Sequence, residues 1–477
     1  MKLSVETKRP DFRMKIPFIR SKITIGIILS FLAGIVFSLP VRGQVTDYLP
    51  VRQDTNFLAG LSEKYQQRYK SELDKLPTRN KKDYLDVYGR RWEHIKEKFD
   101  KQEIYTSKDA QDYLDRLVAL IVKGNPVLQG PSFRCYFSRS AIPNASYIGE
   151  GIILFHMGLF SRMGNESEVV FVLCHEMAHL LLQHTENSIT QYVTTLNSPE
   201  VQEQLKKIKG TEYRKREQLE KLVKGMNFDS RRHSRDHESQ ADSMAVELML
   251  HTPFDLSGAL TTLALLDGID TDTLNTKACL RKVFNSTDYP FQEKWIVKQE
   301  GLLGGHARLK KEEMEDSLKT HPACKERIRL LTPFVNAHPS ARALKFAVDS
   351  PKFEKLKNIF RYETVEYGYL SDHYTESLFL TLELLQKNPT DTYLVTQVGR
   401  LMNGLYSAQK AHTLSKVADL PSPDYPANYN LLLQFIQNLY LENIANISYH
   451  YLSQYHPKMD AYSPFKDAYT QSTQINQ

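Results

Sequence analysis

The chain has 477 residues, 41% hydrophobic and 25% charged, with 62 Lys and Arg against 56 Asp and Glu and a net charge of +6. At roughly 100–200 residues per domain that length carries two to four domains, and the apolar fraction excludes wholesale disorder and a disulfide-stapled miniprotein. A mean hydropathy of -0.45 excludes a polytopic membrane protein, and so small and dispersed a positive excess gives no reason to expect nucleic acid as a partner.

The first element is the apolar stretch Ile23 to Leu39, closed by Pro40 and preceded by Lys15, Arg20 and Lys22. A spanning helix needs about 20 apolar residues, and the dense part, Ile25 to Phe37, is shorter. Residues 1–43 therefore read as a signal peptide, with Val41 and Gly43 placed for cleavage before Gln44; an uncleaved membrane anchor is the alternative. The stretch from Met14 is a complete signal by itself, which makes Met14 a candidate start. No cysteine lies here, so lipoprotein processing is not expected. Either way the basic flank stays inside. The expected location is exported: periplasmic, or membrane-associated on the outer side of the cytoplasmic membrane.

Residues 44–130 show helical charge patterning and read as a helical lead-in. Residues 131–160 change character: Ser146-Tyr147-Ile148 and Ile152-Ile153-Leu154-Phe155, separated by Gly149-Glu150-Gly151, read as strands around a turn. A long helix follows, with Asn165 as N-cap, Glu168 three residues on, and an apolar run to Leu182. Residues 185–236 are highly charged; from Val201 to Asp236 there are 11 basic and 6 acidic side chains, which reads as a solvated helix pair or an anion-facing surface. A further helix is expected from about Asp236 to Leu250, before Pro253. Four cysteines, Cys135, Cys174, Cys279 and Cys324, remain after the leader, and Cys279–Cys324 is a candidate bridge in an oxidising compartment.

In the tail Pro389, Pro423 and Pro457 recur every 34 residues, each twelve residues after a small side chain: Ser377, Ala411 and Ala445. The segment from Tyr374 to Pro389 resembles the second helix of a tetratricopeptide repeat. That resemblance spans about residues 356–457 and implies a superhelical peptide-binding surface; an ordinary helical bundle is the alternative.

The chemistry is concentrated in Phe171-Val172-Leu173-Cys174-His175-Glu176-Met177-Ala178-His179-Leu180-Leu181-Leu182. His175 and His179, at i and i+4 of a helix, leave one face about 6 Å apart and can chelate one zinc ion per chain, with Glu176 beside them as general base. A catalytic zinc needs a third protein ligand. Leu182 and Thr185 stand where the metzincin pattern has Gly and His, and His184 is one residue off that register. The third ligand is then sought on a second helix, where Glu238 completes a two-histidine, one-glutamate set. Asp242, one turn on, can accept the second ring N–H of a ligand histidine, first of all His175.

His175-Glu176-x-x-His179 with Glu238-x-x-Ala241-Asp242 resembles the gluzincin metallopeptidases of the HtpX and CAAX-prenyl-endopeptidase type (metallopeptidase family 48). Pro143-Asn144-Ala145, the hairpin through Gly151, the acidic helix entry at Asn165-Glu166-Ser167-Glu168, and His321-Pro322 with Arg327-Ile328 extend the resemblance over about residues 130–335. It implies a mainly α fold with a small β-sheet, an α+β gluzincin catalytic domain at 131–335 carrying the charged insert 185–236, then an α-helical tetratricopeptide-like tail at 340–470. It implies a zinc metalloendopeptidase whose edge strand aligns extended polypeptide substrates, with His321 or Arg327 as oxyanion donor; His321 could instead hold the zinc latent or cap a turn. His306 is a rival to His321, while His156, His184, His233 and His237 read as structural or exposed. The long insert and the single apolar segment depart from polytopic members. They match periplasmic forms with a tetratricopeptide tail, which act in outer-membrane protein quality control; outer-membrane assembly machinery is thus a candidate partner of the tail. The competing class is a chaperone-like scaffold with a latent metal site.

Overall fold

The computed structural model describes residues 48–211, 235–269, 274–297, 324–339, 343–423 and 425–477, all within one unit, Val45–Gln477. The leader, His233, His306, His321 and Pro322 lie outside the described residues. Among those described, no helix is long and apolar enough to cross a membrane. The described residues are mainly helical, with one three-stranded sheet.

The lead-in forms a helical hairpin, α1 (Thr55–Asp74) and α2 (Lys81–Asp100), then α3 (Lys108–Gly124). In α3, Ala110, Tyr113, Leu114, Leu117 and Ile121 are buried, a stripe at three- and four-residue spacing that lies against the first core. Strand β1 (Arg134–Ser138) is parallel to β3 (Ile152–His156), and β2 (Ala145–Gly149) pairs antiparallel with β3, so the order is β1-β3-β2 and β2 is an edge. The β2–β3 hairpin falls where the sequence places it; β1 was not anticipated. β3 is buried along its whole length because both faces are covered. Ile153 and Phe155 face the main core, while Ile152 and Leu154 face Tyr65, Trp92, Ile95 and Phe99 of the α1–α2 hairpin.

Helix α4 (Glu166–Leu181) starts at Asn165, whose side chain accepts from Glu168 N at 3.2 Å, while the Glu168 carboxylate accepts from Gly164 N at 2.6 Å. Residues Glu166 to Ala178 are all buried, as befits a helix packed on every side. The fully buried Glu166 carboxylate accepts from Tyr113 Oη at 3.0 Å and from the backbone N–H groups of Ala347, Val348 and Asp349 at 2.7, 2.8 and 2.8 Å. Helix α5 (His184–Leu196) turns back through Gln183 in the left-handed region, φ 53, and packs Ile189 and Val193 on Tyr84 and Tyr88 of α2. Helix α6 (residues 235–250) buries Ala241, Ala245, Val246 and Met249. Helix α7 (Ser257–Asp267) packs between α4 and α8 (Cys324–Ala337).

The tail comprises α9 (Ser350–Leu370), α10 (Tyr374–Lys387), α11 (Thr392–Lys410), α12 (Ala427–Asn438), α13 (Leu441–Ser453) and α14 (Ser463–Ile475). Ser377 sits where α10 approaches α9, its Oγ donating to Val365 O at 2.8 Å. Ala445 is buried in α13, and Ala411 caps the C-terminus of α11. Helix α9 is shared: Phe353, Leu356 and Phe360 belong to the main core, and Tyr362 and Val365 to the tail core. Residues 274–297, assigned by position to the 131–335 domain, send Leu274, Cys279, Leu280, Phe284 and Trp295 into the tail core. Two cores therefore interleave along the chain. The four cysteines are buried thiols. Cys279 lies in the tail core and Cys324 in the main core, so the candidate bridge between them is not formed.

Candidate metal centre

The i, i+4 spacing on α4 brings His175 Nε2 and His179 Nε2 to 3.1 Å from each other. From α6 the Glu238 carboxylate reaches both, with Oε2 3.5 Å from His175 Nε2 and Oε1 3.5 Å from His179 Nε2. The three ligand atoms lie within 4.8 Å of one another. Two imidazoles and one carboxylate converging on a single point suit zinc and leave a coordination position for a reactant.

The partners of these groups fix their chemistry. His175 Nδ1 pairs with Asp242 Oδ1 at 3.0 Å, which puts the ring proton there and turns the Nε2 lone pair toward the metal position. Asp242 is the carboxylate that the sequence assigned to that task. It is gripped in turn by Arg327, Nε to Oδ2 at 2.6 Å and Nη2 to Oδ1 at 2.7 Å, while Arg327 Nη1 stands 3.2 Å from Glu238 Oε2. Arg327 was expected as an oxyanion donor; its nitrogens are instead engaged with the two carboxylates of α6. A buried guanidinium finds its counter-ions there, so it positions the ligand carboxylate and the ligand's partner.

Burial acts to raise the carboxyls of Glu238 and Asp242. Opposing contacts, from His175 and His179 on Glu238 and from Arg327 and His175 on Asp242, hold both below their usual values, Glu238 well below. Burial lowers His175, but hydrogen bonds to Asp242 and Glu238 outweigh it and push its pKa up to about 10. A metal ion at this point would take the place of that proton.

His184 is the residue that sequence reasoning missed. Its Nδ1 lies 2.9 Å from His179 Nδ1, its Nε2 lies 3.1 Å from Gln240 Oε1, and its ring stacks on His237 at 4.1 Å. Burial lowers its pKa to about 4, so the neutral ring accepts from His179 Nδ1–H and donates to Gln240. His179 is thereby oriented as His175 is. The signal lay in the sequence as a histidine five residues after His179, but only the left-handed turn at Gln183 brings it back.

Glu176 points the other way, toward the sheet. It is 8% exposed, and its Oε2 accepts from the Tyr147 backbone N–H at 2.7 Å. Burial raises its carboxyl above the ordinary value, against the charges of His175 and His179 and the Tyr147 amide. A cleft of about 360 Å³ is lined by Asn144, Tyr147 and Phe171 together with the histidines, Glu176 and Glu238. His179, Thr185 and Glu238 also wall a second cleft, of about 620 Å³, that opens toward Val87 and Tyr192.

A helix-borne histidine pair, a glutamate from a second helix, and a buried glutamate between that centre and a sheet edge define a metallopeptidase. Residues 109–334 match the model of Peptidase family M48, which supports an M48 metallopeptidase over this stretch. The match takes in α3, so its start lies within the helical lead-in. Comparison with curated proteins gives no match.

Proposed function

We propose that the protein is an exported zinc metalloendopeptidase that hydrolyses unfolded or misassembled envelope proteins. The observation that carries this is the convergence of His175, His179 and Glu238 beside Glu176 and the β2 edge. Zinc held by those three residues would supply Lewis acidity, lowering the pKa of a water and polarising a carbonyl. The chain's own residues do the rest. Among the described residues strand β2 pairs with no strand on its outer side and, apart from the Tyr147 N–H held by Glu176, offers backbone groups to an extended peptide. Glu176 accepts the proton of the attacking water and returns it to the leaving amine, and its raised carboxyl pKa suits that exchange. Asp242, Arg327 and His184 keep the ligand side chains in one orientation. Export by the apolar leader, and contact of the tail with outer-membrane assembly proteins, belong to the same reading; the motif-bearing sequence around them supports it.

Zinc content and casein cleavage of residues 44–477, as wild type, Glu176→Gln and His321→Ala, test this reading. Near-stoichiometric zinc in all three, with cleavage lost in Glu176→Gln, is expected, the loss being about 10²–10⁴-fold. A gain in His321→Ala would assign His321 as a latch. Zinc without cleavage in every form would favour the scaffold, and no zinc in any form would sink the three-ligand site.

A further inference from the structure

The helical hairpin α1–α2 precedes the family-matching stretch, yet one of its side chains reaches the catalytic edge. Arg91 on α2 is 12% exposed, with Nη2 2.6 Å from Glu150 Oε1, and the Glu150 side chain is wholly buried. Glu150 has φ 52, between Gly149 at φ 99 and Gly151 at φ 71, so this turn holds three successive left-handed residues. A Cβ on Gly149 would lie 2.8 Å from Arg91 Nε; the guanidinium packs directly on the turn. Its face covers the Tyr88 ring at 4.3 Å, and Nη1 stands 3.8 Å from Glu186 Oε1 on α5. Glu186 accepts from Tyr147 Oη at 3.3 Å, and the Tyr147 N–H is the donor that holds Glu176.

We propose that Arg91 is a positioning residue for Glu176, acting through strand β2. The inference rests on reading Glu176 as the general base. The β2–β3 register shifts between Tyr147 and Gly149, so the ladder is interrupted immediately after the residue that presents its N–H to Glu176. Arg91 restrains that point from two sides, through the Glu150 turn and through Glu186. A planar guanidinium meets both acids and the Tyr88 face at once; an ammonium meets one. The hairpin outside the matched stretch is thus part of the machinery that aims the base.

The test uses zinc-loaded full-length protein as wild type, Arg91→Lys, Tyr147→Phe and the double variant. Hydrogen exchange at the Tyr147 amide, kcat on casein and zinc content are read together. Arg91→Lys is expected to speed that amide's exchange about tenfold and to lower kcat about tenfold, with zinc content unchanged. Tyr147→Phe should give a smaller effect of the same kind, and the double variant should be no worse than Arg91→Lys. Wild-type exchange and kcat in Arg91→Lys overturn the proposal, as do faster exchange at unchanged kcat and additive effects. If Arg91→Lys fails to fold, Tyr147→Phe decides by the same two readouts. A wild type that holds zinc and never cleaves would overturn the general-base reading itself, and this proposal with it, whatever the exchange rates.

Discussion

Asp242 joins two kinds of control in one carboxylate, since it orients His175 and is itself held by Arg327. Asp242→Ala should weaken zinc binding by about 10–100-fold, and His184→Ala should do the same through His179. Competition with a chromogenic chelator reads both, and an affinity equal to wild type in either would remove that residue from the centre. His156 offers a different measurement. Burial lowers its pKa to about 4, with Nδ1 3.3 Å from Ile142 O. The unfolded chain titrates near 6.5, so between those values the unfolded state binds the extra proton. Its contribution is complete above pH 6.5 and is lost as pH falls toward 4, about 3 kcal/mol in all. Urea unfolding at pH 7 and pH 4.5 should therefore show a steeper loss in wild type than in His156→Gln; equal losses would show that His156 is not the group responsible.

Helices α4 and α7 are pressed together at Gly258, where an added Cβ would lie 2.7 Å from the Ser167 backbone carbon. Gly258→Ala should cost about 1–3 kcal/mol, visible as a lower urea midpoint at unchanged slope, and a midpoint at or above the wild-type value would contradict the close contact. At this scale the sequence is legible where spacing is local. His175, Glu176 and His179 lie within one turn of helix, the Asn165 cap is written in four residues, and the β2–β3 hairpin is marked by Gly149-Glu150-Gly151. Legibility ends where a partner is distant in the chain. Strand β1 is short and pairs in parallel with β3 across the hairpin, so no neighbouring turn announces it. His184 depends on a left-handed Gln183 that glycine statistics do not flag. Arg327 was recognised as belonging to the site, but its engagement with Asp242 spans 85 positions and depends on how α8 lies against α6.

At the scale of the molecule the two cores do not divide the chain at one boundary. Trp295 and Phe284 complete the tail core from within the matched stretch, and α9 is divided between both cores. A chain ending at residue 339 would leave Trp295 and its neighbours uncovered and remove Phe353 and Phe360 from the main core. Such a truncation is expected to lose cooperative unfolding and to be degraded by trypsin at concentrations that leave the full chain intact. A truncated chain as resistant as the full one would show that the cores are separable.

The Glu166 clamp has a consequence in time. The first residue of α4 accepts hydrogen bonds from amides at Ala347, Val348 and Asp349, which are synthesised some 180 residues later. Until they arrive, Tyr113 Oη is the single one of the four donors to Glu166 already made, and burying a carboxylate short of donors is strongly disfavoured. The histidine pair on the same helix is thus expected to be assembled late in biosynthesis, after almost three quarters of the polypeptide has been made. On the peptidase reading, a nascent chain that stops short of Ala347 is expected to be unable to cut itself or its neighbours.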